Sequence, residues 1–184
     1  MNPVADAASK TAANGSAAAP ESAGAEAGFP PSRHQDAFDY LRGESAHITI
    51  HAGELMGWES VEAAMNHIKP SRIGHGVRAI EDLALVDALA ERGTVLDLCP
   101  AANLALGLYP GWRAHPAGEL QRRGVRFTLG SDKPGFFGMG LTQVQDRLHD
   151  AVDWDDGVFR DITRSALDAA FCDADTRDRI ARKL

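Results

Sequence analysis

Ala46-His47-Ile48-Thr49-Ile50, running straight into His51-Ala52-Gly53-Glu54, decides how the fold is read. The first five residues form a short β-branched run that predicts a strand ending at His51. Two small residues and a carboxylic acid follow where the strand gives way to a loop. The same arrangement recurs downstream. Arg72-Ile73-Gly74-His75-Gly76 predicts a second strand end, Thr94 to Cys99 a third strand stopped by Pro100, and Val125 to Leu129 a fourth ending at Gly130-Ser131-Asp132. Positions 51, 75 and 99 stand 24 residues apart, with no sequence self-similarity beyond that period.

Helical patterns fill the intervals. One is expected from Ser32, as N-cap after Pro30-Pro31, through Phe38 and Leu41. Trp58 to Ile68 carries Val61, Met65 and Ile68 at helical spacing, and Ile80 to Arg92 carries Leu83, Val86 and Leu89 before Gly93. Shorter patterns cover Ala117 to Arg123, Leu141 to Val152, Phe159 to Phe171 and the residues after Asp175. Strand–helix alternation implies an α/β fold with a parallel sheet and right-handed crossovers. A full (β/α)8 barrel takes about 250 residues. Four clear strands, five at most, therefore predict a partial (β/α)8 barrel of the last four to five βα units.

Residues 1–28 differ from the rest: eleven are Ala, and none is Leu, Ile, Phe, Tyr or Trp. Such a segment buries too little apolar area to offset chain entropy. It divides the chain into a disordered Ala-rich leader, 1–21, and one domain, 22–184. The 184 residues carry a net charge of −7, and the pI near 5.4 argues against nucleic acid and anionic membranes as partners. Two cysteines, Cys99 and Cys172, make no disulfide framework, and no apolar run approaches membrane length. With no basic-then-apolar leader in view, the expected setting is cytoplasmic.

The polar residues His51, Glu54, His75, Cys99, Asn103 and Asp132 collect where strands end. In barrels and open α/β sheets that end carries the chemistry. Imidazole and carboxylate are ordinary zinc ligands, so His51 and Asp132 are candidates, although a catalytic zinc takes three protein ligands and a water. A carboxylic acid beside an activated water is a general acid–base arrangement, which singles out Glu54. His75, between two glycines, has little packing role to explain it. Adjacent strands lie about 4.8 Å apart, close enough for His51, Glu54 and His75 to line one cavity. Cys99 and the tryptophans Trp58, Trp112 and Trp154 read as packing residues.

From Ser22 onward the chain resembles the adenosine deaminases of the metal-dependent hydrolase superfamily. The resemblance runs through Gly28-Phe29-Pro30-Pro31-Ser32, His51-Ala52-Gly53-Glu54, Arg72-Ile73-Gly74-His75-Gly76, Cys99-Pro100-Ala101-Ala102-Asn103 and Thr128-Leu129-Gly130-Ser131-Asp132. It implies zinc as cofactor and a purine nucleoside as substrate, with hydrolytic deamination at C6 of adenosine or a related aminopurine. It also implies His51 and Asp132 as zinc ligands, Glu54 as the acid that protonates purine N1, and His75 as the histidine that orients or deprotonates the attacking water. Gly24, in Ser22-Ala23-Gly24-Ala25-Glu26, matches a glycine whose backbone contacts the purine.

Two departures bear on activity. The family's first strand supplies two further zinc ligands as His-x-His, and this sequence contains no such pair. His51 and Asp132 alone make an incomplete zinc site. The family's usual acidic residue after the zinc aspartate is here Lys133, a cation expected to oppose metal binding or to pair with Asp132 or Glu54. Lys133 reads either as drift in a protein released from catalysis or as a site for a substrate bearing an anion. Three readings follow: a truncated deaminase inactive alone, a degenerate non-catalytic scaffold, or a half-barrel that dimerises or pairs with an amino-terminal half.

Overall fold

The computed structural model describes residues 21–22 and 26–184. Five strands form one parallel sheet: β1 (Glu21–Ser22), β2 (Thr49–Ala52), β3 (Arg72–His75), β4 (Val95–Leu98) and β5 (Phe127–Leu129). Their spatial order equals their sequence order. A doubly wound sheet would reverse direction at a switch point, whereas unbroken order is that of a barrel wall. The partial-barrel expectation stands, with β1 as the fifth strand. The leader, the putting of a domain boundary at 21, and Gly24 lie in or beside residues outside the described ones.

Between strands run α1 (Gln35–Gly43), α2 (Trp58–Ala63), α3 (Leu83–Arg92), α4 (Pro100–Ala105), α5 (Ala117–Arg122), α6 (Pro134–Phe137), α7 (Leu141–Val152), α8 (Asp156–Asp168) and α9 (Ala174–Ala181). Several boundaries move for local reasons. Ser32 caps nothing: it lies inside a 3-10 turn, Pro31–His34, that leads into α1. The helix expected from Ile80 begins at Leu83, because the Asp82 carboxylate accepts the Leu85 N–H and Ile80 belongs to a preceding 3-10 turn. The last long helix starts three residues early, capped by Asp155, so Phe171 falls beyond its end. Pro100 opens α4 instead of only closing a strand, its missing N–H costing nothing at a first helical position.

Pleating sorts the side chains. Ile48, Ile50, Ala52, Ile73, Leu96, Leu98 and Phe127 are buried against the helices, packed with Val61, Met65, Ile68, Val86, Leu89, Leu120 and Leu148. Trp154 joins this core, stacked on Phe127 with ring centres 5.9 Å apart. The other face carries His51, Gly74, Asp97 and Thr128 in register across β2 to β5. It is polar: Thr128 Oγ1 donates to Asp97 Oδ1 at 2.8 Å, and Arg72 Nε lies 3.6 Å from Asp97 Oδ2. Below, the Arg72 guanidinium sits 4.2 Å from the centre of the Phe171 ring, which stacks on His47 at 4.8 Å.

Among the described residues β1 pairs only with β2, and β5 only with β4. Both outer strands, among the described residues, present unpaired backbone groups, and neither contains proline to discourage added pairing. The purified chain is therefore expected to scatter light as an oligomer or aggregate. A monodisperse mass near 19.7 kDa with a cooperative melt would contradict that expectation.

Candidate functional site

The site is built where β2 and β3 end. Gly53 turns the chain with φ of +69°, and a Cβ there would come within 2.2 Å of Val61 Cγ2, so only glycine fits. The turn folds residues 53–56 around the carboxylate of Glu26, a group the sequence reading passed over. Glu26 accepts from the N–H groups of Gly53 at 2.5 Å, Glu54 at 3.3 Å, Leu55 at 2.8 Å and Met56 at 2.9 Å. The Ser60 hydroxyl adds a fifth bond at 2.6 Å. Burial works against the Glu26 charge, but the Ser60 hydroxyl and the Met56, Gly53 and Leu55 N–H groups outweigh it and hold the carboxyl below its ordinary value.

Glu54 is thereby aimed into the cluster, where it is buried. His75 shares strand parity with the helix-facing Ile73, but its φ of +60° turns the ring away from that layer. His75 Nδ1 comes to 3.2 Å from Glu54 Oε1, and the His75 ring sits edge-on to His51 with centres 4.8 Å apart. His51 Nε2 is 3.7 Å from Glu54 Oε2. His75 Nδ1 is close to its carboxylate but not aligned for a hydrogen bond, and is buried without a hydrogen-bond partner. Asp132, also at positive φ (53°), stands just past β5, and its charge acts on both Glu54 and His75. Two non-glycine residues in left-handed backbone at strand ends are strain of the kind that gathers at working sites.

The electrostatics separate the two neighbours. Burial, then the charges of Asp132 and Glu26, push the Glu54 carboxyl up to about 7, against a lowering by the Asn103 hydrogen bond and Lys133. Burial, then His51, push the His75 imidazole down to about 4. Near neutral pH a carboxyl poised between its acid and ionised forms thus shares the site with a neutral imidazole. Of the two alternatives for Lys133, pairing with Asp132 or Glu54 is not seen among the described residues; its charge acts on Glu54 and His75 from a distance. Half-buried Cys99 packs against Gly130, and its thiol is pushed up to about 12 by burial and by Asp132. An inert thiol suits a packing residue.

The ligand atoms of His51, Glu54 and His75 lie within 4.8 Å of one another. Imidazole nitrogen and carboxylate oxygen are donors zinc accepts, and the unpartnered His75 Nδ1 shows that the cluster is short of a polar occupant. The donor set fits zinc in kind. Two residues belong to the site without having been assigned a role from sequence. Asn103, buried on α4, donates from Nδ2 to Glu54 Oε1 at 3.2 Å, and His115 Nε2 lies 3.2 Å from Asn103 Oδ1. His115 precedes Pro116 at the start of α5, and that His-Pro pair was its one sequence signal.

Two outcomes follow from these contacts. Glu26→Ala leaves several buried N–H groups without an acceptor, which should cost about 2–4 kcal/mol, read as a lower melting temperature; an unchanged melt would mean that water or another group takes over. For Glu54 the folded-state value lies above its ordinary 4.5, so the shift favours the fold in acid and that contribution is lost as pH rises through about 7. The metal-free Glu54→Gln protein should melt above the parent at about pH 8, and the gap should close towards about pH 5. His75 is neutral in the folded and unfolded chain alike at about pH 8, so the difference there is read without it.

Comparison with known proteins gives the arrangement a context. The family model described as adenosine deaminase matches residues 3–184. An adenine deaminase of Agrobacterium fabrum is 47% identical over 148 residues, which are 80% of this chain and 46% of that protein. Two solved structures superpose on 96% of this chain at 22% identity. One is an adenine deaminase from Arthrobacter aurescens (TM-score 0.82, 56% of that chain covered). The other is an amidohydrolase from Burkholderia ambifaria with bound Zn (TM-score 0.81, 50% of that chain covered). The chain spans about half the length of the curated relatives it matches.

Proposed function

The chain belongs to the adenosine deaminase family, and from that premise we propose that it carries the proton-handling part of a purine deaminase site, with adenine as substrate. One observation carries the reading: a buried carboxyl raised to about 7 stands 3.2 Å from a buried imidazole lowered to about 4. Pairs of titratable groups pushed apart by their surroundings divide acid from base roles. The expectation of a nucleoside substrate gives way to the free base, on the support of relatives named adenine deaminase at 47% identity.

In this reading Glu54, still partly protonated near neutral pH, gives its proton to ring N1 and makes C6 electrophilic. His75, neutral and with Nδ1 unengaged, takes a proton from the water that attacks C6. The proton taken by His75 passes to the departing amino group, the hydroxyl proton on C6 returns to Glu54, and ammonia leaves as C6 forms its carbonyl, giving hypoxanthine. His51 and Asp132 would hold zinc, which when bound supplies Lewis-acid activation of the attacking water. These two give fewer protein ligands than a catalytic zinc takes. The remainder would come from an amino-terminal barrel half, as a second polypeptide or another part of the same protein. Gly24, by resemblance, would contact the purine. No described helix is long and apolar enough to cross a membrane, and a cytoplasmic setting is part of the proposal.

One observation favours a non-catalytic reading, the cation Lys133 next to Asp132. A single experiment separates the two. Adenine and adenosine are offered, with zinc, to the full chain alone and to the chain mixed with the amino-terminal barrel half of the Agrobacterium relative. The ultraviolet change on deamination is followed. No turnover is expected from the chain alone. In the mixture adenine should turn over in preference to adenosine, and Glu54→Gln should slow it by about a hundredfold or more. A mixture that stays inactive while the same half complements the relative's own carboxyl-terminal half would support the non-catalytic scaffold. Turnover indifferent to Glu54→Gln would overturn the acid assignment.

A further inference from the structure

A line of hydrogen bonds leads from the start of α5 to Glu54, and its direction can be deduced group by group. The Ala117 backbone N–H can only donate, and it reaches His115 Nδ1 at 3.2 Å. That nitrogen is therefore an acceptor. His115 is 3% exposed, and burial pushes its imidazole down to about 3, so the ring is neutral and its one proton is on Nε2. Nε2–H faces Asn103 at 3.2 Å, which requires the amide oxygen Oδ1 on that side. The NH2 group must then point the other way, to Glu54 Oε1 at 3.2 Å. Asn103 is fully buried, so neither end of its amide can be satisfied by solvent in a flipped state.

We propose that His115 and Asn103 are positioning residues forming a one-way hydrogen-bond relay, anchored on the Ala117 N–H, that fixes the Glu54 carboxyl with Oε1 as acceptor. Oε1 is engaged by a donor, so a proton held by Glu54 resides on Oε2. A carboxyl free to rotate would present either oxygen, and half of its orientations would waste the proton. The relay removes that freedom with two groups that cannot themselves ionise near neutral pH. The consequence for proton delivery rests on reading Glu54 as the acid. The relay does not, and it can be tested without substrate, metal or turnover.

The test is nuclear magnetic resonance on the full chain, with nitrogen-15 in histidine and in the asparagine side chains. In the parent protein at neutral pH, His115 should appear as the neutral tautomer with its proton on Nε2. The Asn103 NH2 should show one slowly exchanging proton. His115→Phe should speed that exchange by about tenfold, the loss of one hydrogen bond of ordinary net strength. His115→Gln, which can still donate to Asn103 Oδ1, should restore it. A merely structural His115 would be replaced as well by Phe as by Gln. The Nδ1–H tautomer, a doubly protonated ring, or Asn103 exchange unmoved by His115→Phe would each overturn the relay. Should the Phe variant fail to fold, the parent tautomer and the Gln variant still decide. Turnover in the assembled mixture that is indifferent to Glu54→Gln, by contrast, would strike only the reading of Glu54 as acid.

Discussion

The contact on which the site depends is the carboxylate of Glu26 seated among the N–H groups of residues 53–56. A loop this tight directs its amides inward, and with no anion there they would be buried donors without acceptors. Glu26 converts that cost into a fixed shape. The loop it holds carries Glu54, and the strand before it carries His51, so one carboxylate sets where another can go. It also joins the segment after β1 to the end of β2, two strands that share only a two-residue pairing.

Much of this was legible in the sequence, and the parts that were not share a cause. Strand ends announce themselves locally, through β-branched runs stopped by glycine or proline, so His51, Glu54 and His75 could be placed at neighbouring ends and expected together. Glu26 and His115 act through contacts that no local pattern points to, the His-Pro pair saying nothing of what His115 faces. Glu26 reaches backbone N–H groups 27 to 30 residues away, and backbone amides have no sequence signature. Asn103 reaches Glu54 across 49 residues. It stood among the strand-end polar residues, but nothing in one dimension says which of them its amide faces. Helix boundaries slipped at Ile80 and Phe159 for a related reason: apolar periodicity runs on past a boundary that Asp82 or Asp155 sets by capping.

The inner face of the sheet shows how half a barrel wall can be tolerated. Barrel interiors are usually layered with bulky branched side chains. Here the inward positions hold His51, Gly74, Asp97 and Thr128, and Arg72 is tied to Asp97 and laid over Phe171. Such a face tolerates water, since it is largely polar and its one large apolar ring is covered on two sides by His47 and Arg72. Most of the apolar side chains lie on the other face, where the helices cover them, with Val95 the exception on the inner one.

Two glutamates of the same intrinsic acidity meet at this site and are driven in opposite directions. Glu26 and Glu54 are both buried, so burial alone cannot separate them. What differs is the supply of donors. Glu26 collects four N–H groups and a hydroxyl and keeps its charge; Glu54 receives the Asn103 amide and faces the charges of Asp132 and of Glu26 itself. The clamp that shapes the loop is thus also one of the charges that keep Glu54 un-ionised. Removing the Glu26 charge without disturbing the loop would ease Glu54 towards ionisation, with burial and Asp132 still holding it up. One carboxylate thus shapes the loop and, after burial and Asp132, also bears on the acidity of the group that the loop presents.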